Sequence, residues 1–189
     1  MRKFAIIKTK KGVNMNLKIK PIIIAAGISA VIAAISGTLL HFLYEWANQG
    51  KIVGLFSAVN ESVWEHLKLL FIPILILTVI ENVIYGKDIS NFFFSRLCGV
   101  LAGMSLIVVV HYTYNGIIGM RFAFIDILLF YLGVILSYLV SVLLILCHVN
   151  KRSDSLAEII SIIAFIMIAA SFFIFTYFPP SLAIFKSPV

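Results

Sequence analysis

The sequence predicts an all-α integral membrane protein that forms a single bundle of five transmembrane helices. Its composition is the first reason: 62% of the 189 residues are hydrophobic and 12% are charged, whereas a soluble domain is about 45–50% apolar and about 25% charged. The second reason is that the hydrophobic residues form five runs, each near the roughly 20 residues that cross a bilayer. Short breaks rich in turn residues separate the runs, and no break is long enough to indicate a linker to a second domain.

The five runs define the predicted elements in order. They lie at 21–46, 62–85, 92–114, 122–147 and 156–178. The breaks between them are Asn48 to Gly54, Gly86 to Ser90, Asn115-Gly116 and Asn150 to Ser155. The expected organisation is therefore a basic cytoplasmic segment at 1–20 and one transmembrane domain at 21–189.

Basic residues are concentrated at the N-terminus, where seven of the 15 Lys and Arg side chains lie in the first 20 positions. Loops rich in Lys and Arg stay in the cytoplasm, so we expect the N-terminus inside and, after five spans, the C-terminus outside. In this orientation eleven basic residues lie inside and four outside. Basic segments next to a membrane also contact anionic lipids. The net charge of +7 would suit a nucleic-acid partner, but the position of the basic residues argues against one and indicates a multi-pass protein of the cell membrane.

The first helix carries a stripe of small and polar residues, Ala30, Ala34, Gly37, His41 and Glu45, which share one face at 3.6 residues per turn. Small residues let membrane helices approach closely, so this face is expected to contact other helices. His41 and Glu45 lie on adjacent turns, where they could share a proton or a metal ion.

The second helix opens with the sequence NESVWEHLK at 60–68. Asn60 is a good N-cap, and Glu61 lies where a carboxylate interacts favourably with the helix dipole. Glu61, Glu65 and Lys68 share a face, while His66 points about 100° away from Glu65. We therefore do not expect His66 and Glu65 to act on one atom.

The third and fourth helices add polar residues at the same end. His111 and Asn115 share a face near the end of the third helix, whereas Gly99 and Gly103 form a small-xxx-small pattern on a different face. Asp126 begins the fourth helix and heads a small and polar stripe. That stripe continues through Gly133, Ser137 and Ser141.

The acidic and histidine side chains thus gather at helix ends that face one side of the membrane. The set is His41, Glu45, Glu61, Glu65, His66, His111 and Asp126. Ionisable groups near hydrocarbon are costly and usually face the bundle interior or a watery cavity. We expect them to meet in one layer beneath the outer headgroups.

Other polar residues have simpler interpretations. Glu81 and Glu158 lie near the predicted inner face, where Lys87, Arg96, Lys151 or Arg152 could neutralise them in local ion pairs. Cys98 and Cys147 also lie near cytoplasmic ends, where thiols stay reduced, so no disulfide is expected.

Two motifs, HFLYEW at 41–46 and VNESVWEHLK at 59–68, resemble the signature of an uncharacterised family of small bacterial multi-pass membrane proteins, a domain of unknown function. The resemblance covers helices one and two and the loop between them. It implies a membrane location and carries no known activity.

Two membrane enzyme families share residue types with this chain but not their full motifs. In prenyl-protein-protease-like enzymes the final motif is His-x-x-x-Asn, which His111 and Asn115 match, but their adjacent glutamates and arginine have no counterpart here. Membrane ceramidase-like hydrolases bind zinc through three histidines with an aspartate and a serine nearby. The residue types are present here without the spacing, so both comparisons are analogies.

Three interpretations of the polar cluster stay open. The first is a metal-dependent membrane hydrolase that acts on a lipid or lipidated substrate, with His41, His111 and Asp126 as ligands of zinc or another divalent metal. Glu65 is then the general base, with Glu61 as a second catalytic carboxylate. The expected supporting residues are Glu45, His66, Asn115 and Asn60.

The second interpretation is a small transporter, channel or ion-binding sensor, in which the same carboxylates and histidines bind a cation or relay protons. The third is a non-catalytic membrane interaction protein, in which the buried polar groups satisfy one another. Metal content, ion flux in liposomes and the effect of alanine at His41, Glu65, His111 and Asp126 together separate the three interpretations.

Overall fold

The structure of the protein is a computed structural model that describes residues 2–148 and 155–187, with side chains from 20 to 147 and from 155 to 187. Within those ranges every regular element is helical. The helices are α1 (Arg2–Trp46), α2 (Lys51–Gly54), α3 (Val63–Ile84), α4 (Phe92–Ile118), α5 (Ala123–His148) and α6 (Ser155–Tyr177). Short 3₁₀ turns lie at Gly86–Asp88 and Ala183–Phe185.

Five of these helices are long and apolar enough to cross a membrane, which confirms the predicted number of spans. They cover Lys20–Trp46, Val63–Ile84, Phe92–Ile118, Ala123–Cys147 and Ser155–Tyr177. The outside of the bundle presents large aliphatic side chains that are more than half exposed. Examples are Ile24, Val83, Ile117, Ile135 and Ile166. Such a surface suits lipid contact, because hydrocarbon removes the penalty of exposing it to water.

The end of α4 differs from the prediction. The sequence places a break at Asn115-Gly116, but the helix continues to Ile118 and ends at Gly119, whose φ is +72°. Gly119 donates its N–H to the Asn115 carbonyl oxygen at 2.8 Å. A glycine in the left-handed region is a common helix stop. Gly116, by contrast, stays inside the helix at a cost of only about 1 kcal/mol relative to alanine.

Helices α4 and α5 are packed with their backbones close together, as the small-residue stripes predict. A Cβ added at Gly103 would collide with the Gly133 carbonyl oxygen and the Ser137 hydroxyl, and one at Gly99 would collide with the Ser137 carbonyl oxygen. The predicted small-xxx-small contact is confirmed, and its partner is the stripe that begins at Asp126.

Helix α1 packs against α3 and α5 through its own small-residue stripe. A Cβ added at Gly37 would lie 2.6 Å from the Leu69 carbonyl oxygen of α3 and 2.6 Å from the Phe130 ring of α5. One turn beyond Gly37, His41 is therefore delivered to the junction of these three helices.

The opposite end of the bundle contains a buried ion pair. Arg96 Nη2 lies 2.6 Å from Glu81 Oε2, which confirms one of the predicted local pairs. The Arg96 guanidinium also lies 4.7 Å from the centroid of the Tyr138 ring. The pKa of the neighbouring Tyr85 hydroxyl is raised, mainly by burial and secondly by the Glu81 carboxylate. This cluster joins α3, α4 and α5 and is far along the helices from the histidines.

Glu158 contacts the beginning of α4. Its Oε2 accepts the backbone N–H of Phe93 at 3.1 Å, in the first turn of α4, where free N–H groups attract a carboxylate. Two of its predicted basic partners, Lys151 and Arg152, lie outside the described residues. Cys98 and Cys147 are free thiols, as predicted.

Candidate metal centre at one end of the bundle

Local hydrogen bonds shape the entry into α3. Ser62 is the N-cap, because its side chain accepts the N–H of Glu65 at 3.3 Å. The prediction that Asn60 caps this helix is wrong. The Asn60 side-chain oxygen instead accepts the N–H of Ser62 at 2.9 Å, a turn that asparagine commonly makes over two residues. Glu61 therefore lies in the loop before α3, so the helix periodicity does not fix the direction of its side chain.

The ring of His66 is oriented by the backbone of the same turn. Its Nδ1 lies 2.8 Å from the Ser62 carbonyl oxygen. A carbonyl oxygen only accepts hydrogen bonds, so Nδ1 carries the hydrogen and the neutral ring keeps a lone pair on Nε2. That Nε2 lies 3.5 Å from Glu61 Oε2.

His41 completes a group of three. Its Nε2 lies 3.9 Å from Glu61 Oε1, and its ring centroid lies 5.3 Å from that of His66. One ligand atom from each of His41, Glu61 and His66 lies within 4.8 Å of the other two. Ligand atoms bound at about 2.0–2.2 Å from one zinc ion lie within roughly 4 Å of one another. Small side-chain rotations would therefore bring these three atoms to a common ion.

These three side chains line a cavity of about 350 Å³, here called the lateral cavity, between α1, α3 and α5. Most of its remaining wall is apolar and includes Leu69 and Phe130. Two wall residues, Phe42 and Ile127, are 44% and 57% exposed on the outside of the bundle. The lateral cavity therefore opens on the face that the five apolar helices present to lipid.

A second polar network begins at Asp126. Its Oδ1 lies 2.7 Å from His111 Nδ1 and accepts the Tyr114 hydroxyl at 2.8 Å. Its Oδ2 accepts Arg121 Nε at 2.6 Å. Asn115 Nδ2 lies 2.9 Å from His111 Nε2. Both ring nitrogens of His111 thus have hydrogen-bond partners within the protein, and Asp126 also lines the lateral cavity.

A second cavity of about 320 Å³, here called the end pocket, lies on the other side of Glu61 and Arg121, which line both cavities. Arg121 Nη1 lies 3.4 Å from the Glu61 carbonyl oxygen. The other residues that line the end pocket are Val63, His111, Tyr112, Asn115, Ala183, Lys186 and Ser187. The wall between the cavities therefore carries one acidic and one basic side chain.

Glu65 belongs to a buried ion pair and not to the lining of either cavity. Its Oε2 lies 2.6 Å from Lys68 Nζ, and the side chains are 3% and 0% exposed. Lys68 also donates to the Gly54 carbonyl oxygen at 2.8 Å and to Thr176 Oγ1 at 2.9 Å. Glu65 accepts the N–H of Val59 at 3.0 Å. This pair fastens the loop that carries Glu61 to α3 and α6.

The structure divides the expected site residues into groups. It brings His41 together with Glu61 and His66, and it joins His111 to Asp126 and Asn115. The two groups share the wall of the lateral cavity through Asp126. Glu45 is exposed, and its carboxylate has no ion pair or hydrogen bond within the described part of the chain.

Three further residues contribute to the site, and of these the sequence predicts only the position of Lys68, on one helix face with Glu65. Arg121 and Tyr114 hold Asp126, and Lys68 holds Glu65. Arg121 precedes Asp126 by five residues, and Lys68 follows Glu65 by three. The separation of three residues is a signal for the Glu65–Lys68 pair, because opposite charges three or four residues apart on a helix commonly pair. Arg121 lies before α5 and five residues from Asp126, so no such signal points to it.

A sequence profile described as a family of unknown function (DUF6512) matches residues 8–189. The match therefore covers all five spans and both cavities. No curated protein and no solved structure matches the chain.

Proposed function

Because the chain belongs to this family of unknown function, we propose its function from the site itself: a membrane hydrolase in which His41, Glu61 and His66 bind zinc or another divalent metal ion. The observation that supports the proposal is the convergence of these three ligand types within 4.8 Å beside a cavity. They come from α1, from α3 and from the loop between them, so folding of the bundle assembles the group.

The donor set fits zinc. Two imidazoles and one carboxylate are a common catalytic ligand set, in which the fourth position stays open for water or substrate. The Ser62 carbonyl oxygen holds His66 Nδ1, and such support of a ligand imidazole fixes its orientation. In this proposal Glu61 and His66 take the ligand positions that the sequence suggests for Asp126 and His111.

The chemistry proposed is hydrolysis of an ester. A bound divalent ion would polarise the ester carbonyl and activate water. The water oxygen forms a bond to the carbonyl carbon, the ester C–O bond breaks, and the proton released by water ends on the leaving oxygen. We assign His111 as the proton acceptor, because Asp126 holds its Nδ1 at 2.7 Å, as a carboxylate orients the imidazole in hydrolase triads. Its Nε2 then takes the proton and gives up the Asn115 contact.

The substrate is expected to reach the site from the membrane. The lateral cavity has a volume of about 350 Å³, within the roughly 300–1,000 Å³ typical of small-molecule sites. Its walls are mostly apolar and its mouth lies among exposed side chains of α1 and α5. An acyl chain of a lipid or lipidated substrate suits this route.

Metal analysis of the detergent-purified protein tests the proposal. We expect about one equivalent of zinc or a similar ion, which is lost in His41→Ala and in His66→Ala. The matched control is Glu45→Gln, which changes an exposed carboxylate one turn beyond His41 and should keep the metal. Wild-type protein that takes up no divalent ion on titration, or histidine variants that keep it, would overturn the metal site.

Activity is measured separately with a fluorogenic acyl ester lipid in micelles. Turnover should disappear with a chelator and return when zinc is added. A protein that binds the ion in the expected ligands but shows no turnover on acyl esters would contradict the hydrolase and favour an ion-binding sensor.

A further inference from the structure

We propose that the site takes a phosphate-bearing amphiphile, with its acyl chain in the lateral cavity and its headgroup phosphate in the end pocket against Arg121 and Lys186. The inference deepens the proposed function and rests on it for the reaction. The binding step itself is independent of the metal and can be measured without one.

The two cavities are adjacent and differ in chemistry. Glu61 and Arg121 line both of them, so one molecule that passes this wall reaches both spaces. Most of the surface inside the lateral cavity is apolar and is contributed by side chains such as Leu69, Ile127 and Phe130, which suits an acyl chain. The end pocket is smaller, and all but two of the residues that line it, Val63 and Ala183, have polar side chains. An amphiphile matches this pair of spaces better than a purely apolar or purely polar ligand does.

The basic groups of the end pocket favour an anionic headgroup. Arg121 uses Nε for Asp126, and its Nη1 contacts a carbonyl oxygen at 3.4 Å, so the guanidinium keeps donors for a ligand. Lys186 is exposed and has no ion pair within the described residues. Arginine and lysine together are the usual partners of phosphate. A volume of about 320 Å³ leaves room for a phosphate and its substituent.

The backbone that carries Lys186 to the end pocket is held by aromatic contacts of the preceding residue. The preceding residue, Phe185, packs against Trp64 of α3 at 4.8 Å and against Phe175 of α6 at 5.4 Å between ring centroids. These contacts fix the 3₁₀ turn at Ala183–Phe185 above the start of α3. The backbone from which the Lys186 side chain extends therefore lies at the rim of the end pocket.

The arrangement also places the reacting bond. With the chain in the lateral cavity and the phosphate beside Arg121, the linkage between them passes Glu61, which lines both cavities and lies beside His41 and His66. An ester at this junction would lie next to the proposed metal ligands, which is the position that hydrolysis requires.

Binding of short-chain phosphatidic acid to the full-length, chelator-treated protein in zwitterionic micelles tests the inference. We expect Lys186→Gln to weaken binding roughly tenfold, because it removes one charge-assisted contact. Lys51→Gln is the matched control, since it removes the same charge from an exposed residue that lines neither cavity, and it should bind as the wild type does.

Two further ligands complete the test. Phosphatidylcholine of the same chain length should bind at least tenfold more weakly, because its headgroup has no net charge, and inorganic phosphate alone should also bind weakly. Equal binding of the two lipids, an unchanged Lys186→Gln variant, or inorganic phosphate that binds as tightly as the lipid would each overturn the inference. Metal analysis of untreated samples reports separately on the proposed metal site, so the two can fail independently.

Discussion

At the scale of single residues, the orientation of one imidazole decides what the site can bind. His66 donates Nδ1–H to the Ser62 carbonyl oxygen and so presents Nε2 to Glu61 and His41. A protonated imidazole cannot bind a metal, so protons and metal compete for both histidines. The site is therefore expected to bind its ion at neutral pH and to release it in acid.

This competition gives a prediction on pH. Zinc affinity measured from about pH 7.5 down to about pH 5.5 should fall as the pH is lowered, because protons compete with the ion for the ring nitrogens. Competition with a chromophoric chelator over this range measures it. Glu61→Gln should bind more weakly throughout but keep the slope, and a pH-independent affinity would contradict histidine ligation.

A second prediction concerns Glu65, which the sequence suggests as a general base and the structure pairs with Lys68 at 2.6 Å. Breaking a buried ion pair on one side leaves an uncompensated charge and costs about 3–5 kcal/mol. Glu65→Gln should therefore lower the melting temperature in detergent markedly, whereas the double variant Glu65→Leu with Lys68→Met should recover much of the loss.

The same variants separate stability from catalysis. Thermal unfolding followed by tryptophan fluorescence gives the stability, and ester hydrolysis below the melting temperature gives the activity. If Glu65→Gln melts like the wild type and yet loses turnover, Glu65 is a catalytic base and not a structural anion.

How far the site could be predicted depends on the kind of contact. Helix periodicity places His41, Glu61, His66 and Asp126 at one end of the bundle, because a span of known length and direction fixes the depth of each side chain. It cannot choose the partner of His41. Glu45, one turn away, is the local choice, but Glu61 is the actual neighbour because it is brought in by the loop and by α1–α3 packing.

At the scale of the helices, the close contact between α4 and α5 depends on glycines, which have no side chain to keep the two backbones apart. A Cβ at Gly103 would collide with α5, whereas one at Gly116, also in α4, would have no heavy atom within 4 Å. The same substitution at these two glycines therefore separates packing from helix propensity.

We predict that Gly103→Ala destabilises the protein by about 1–3 kcal/mol, since overpacking forces the two helices apart. Gly116→Ala should be neutral or stabilise by up to about 1 kcal/mol, because alanine is the better helix former. Both are measured as shifts of the unfolding midpoint in detergent. Equal effects at the two positions would show that α4 and α5 do not approach as closely as described.

The spans could be predicted closely because hydropathy and length are properties of each run alone. The beginning of the fourth span lies within one residue of its prediction, at Ala123. The end of the third is at Ile118, four residues later than expected. Two glycines, Gly116 and Gly119, compete to end it, and only the backbone conformation of Gly119 decides between them.

At the scale of the whole molecule, orientation in the membrane follows from basic residues that are free to interact with the lipid surface. Several later basic side chains are engaged inside the bundle: Arg96 with Glu81, Lys68 with Glu65, and Arg121 with Asp126. Basic residues that are paired with carboxylates inside the bundle contribute little to the orientation of the protein in the membrane. The basic N-terminal segment is therefore expected to set the topology, with its end of α1 in the cytoplasm.

That argument predicts which end impermeant reagents reach. In a Cys98→Ser, Cys147→Ser background, Ser187→Cys at the exposed rim of the end pocket should react with an impermeant maleimide in intact cells. Asp88→Cys, exposed in the turn between α3 and α4 at the opposite end, should react only after the membrane is opened, because an odd number of spans puts these ends on opposite sides. The reverse labelling pattern would place the histidines and the end pocket on the cytoplasmic side. The proposed hydrolase would then draw its water and its headgroups from the inner leaflet.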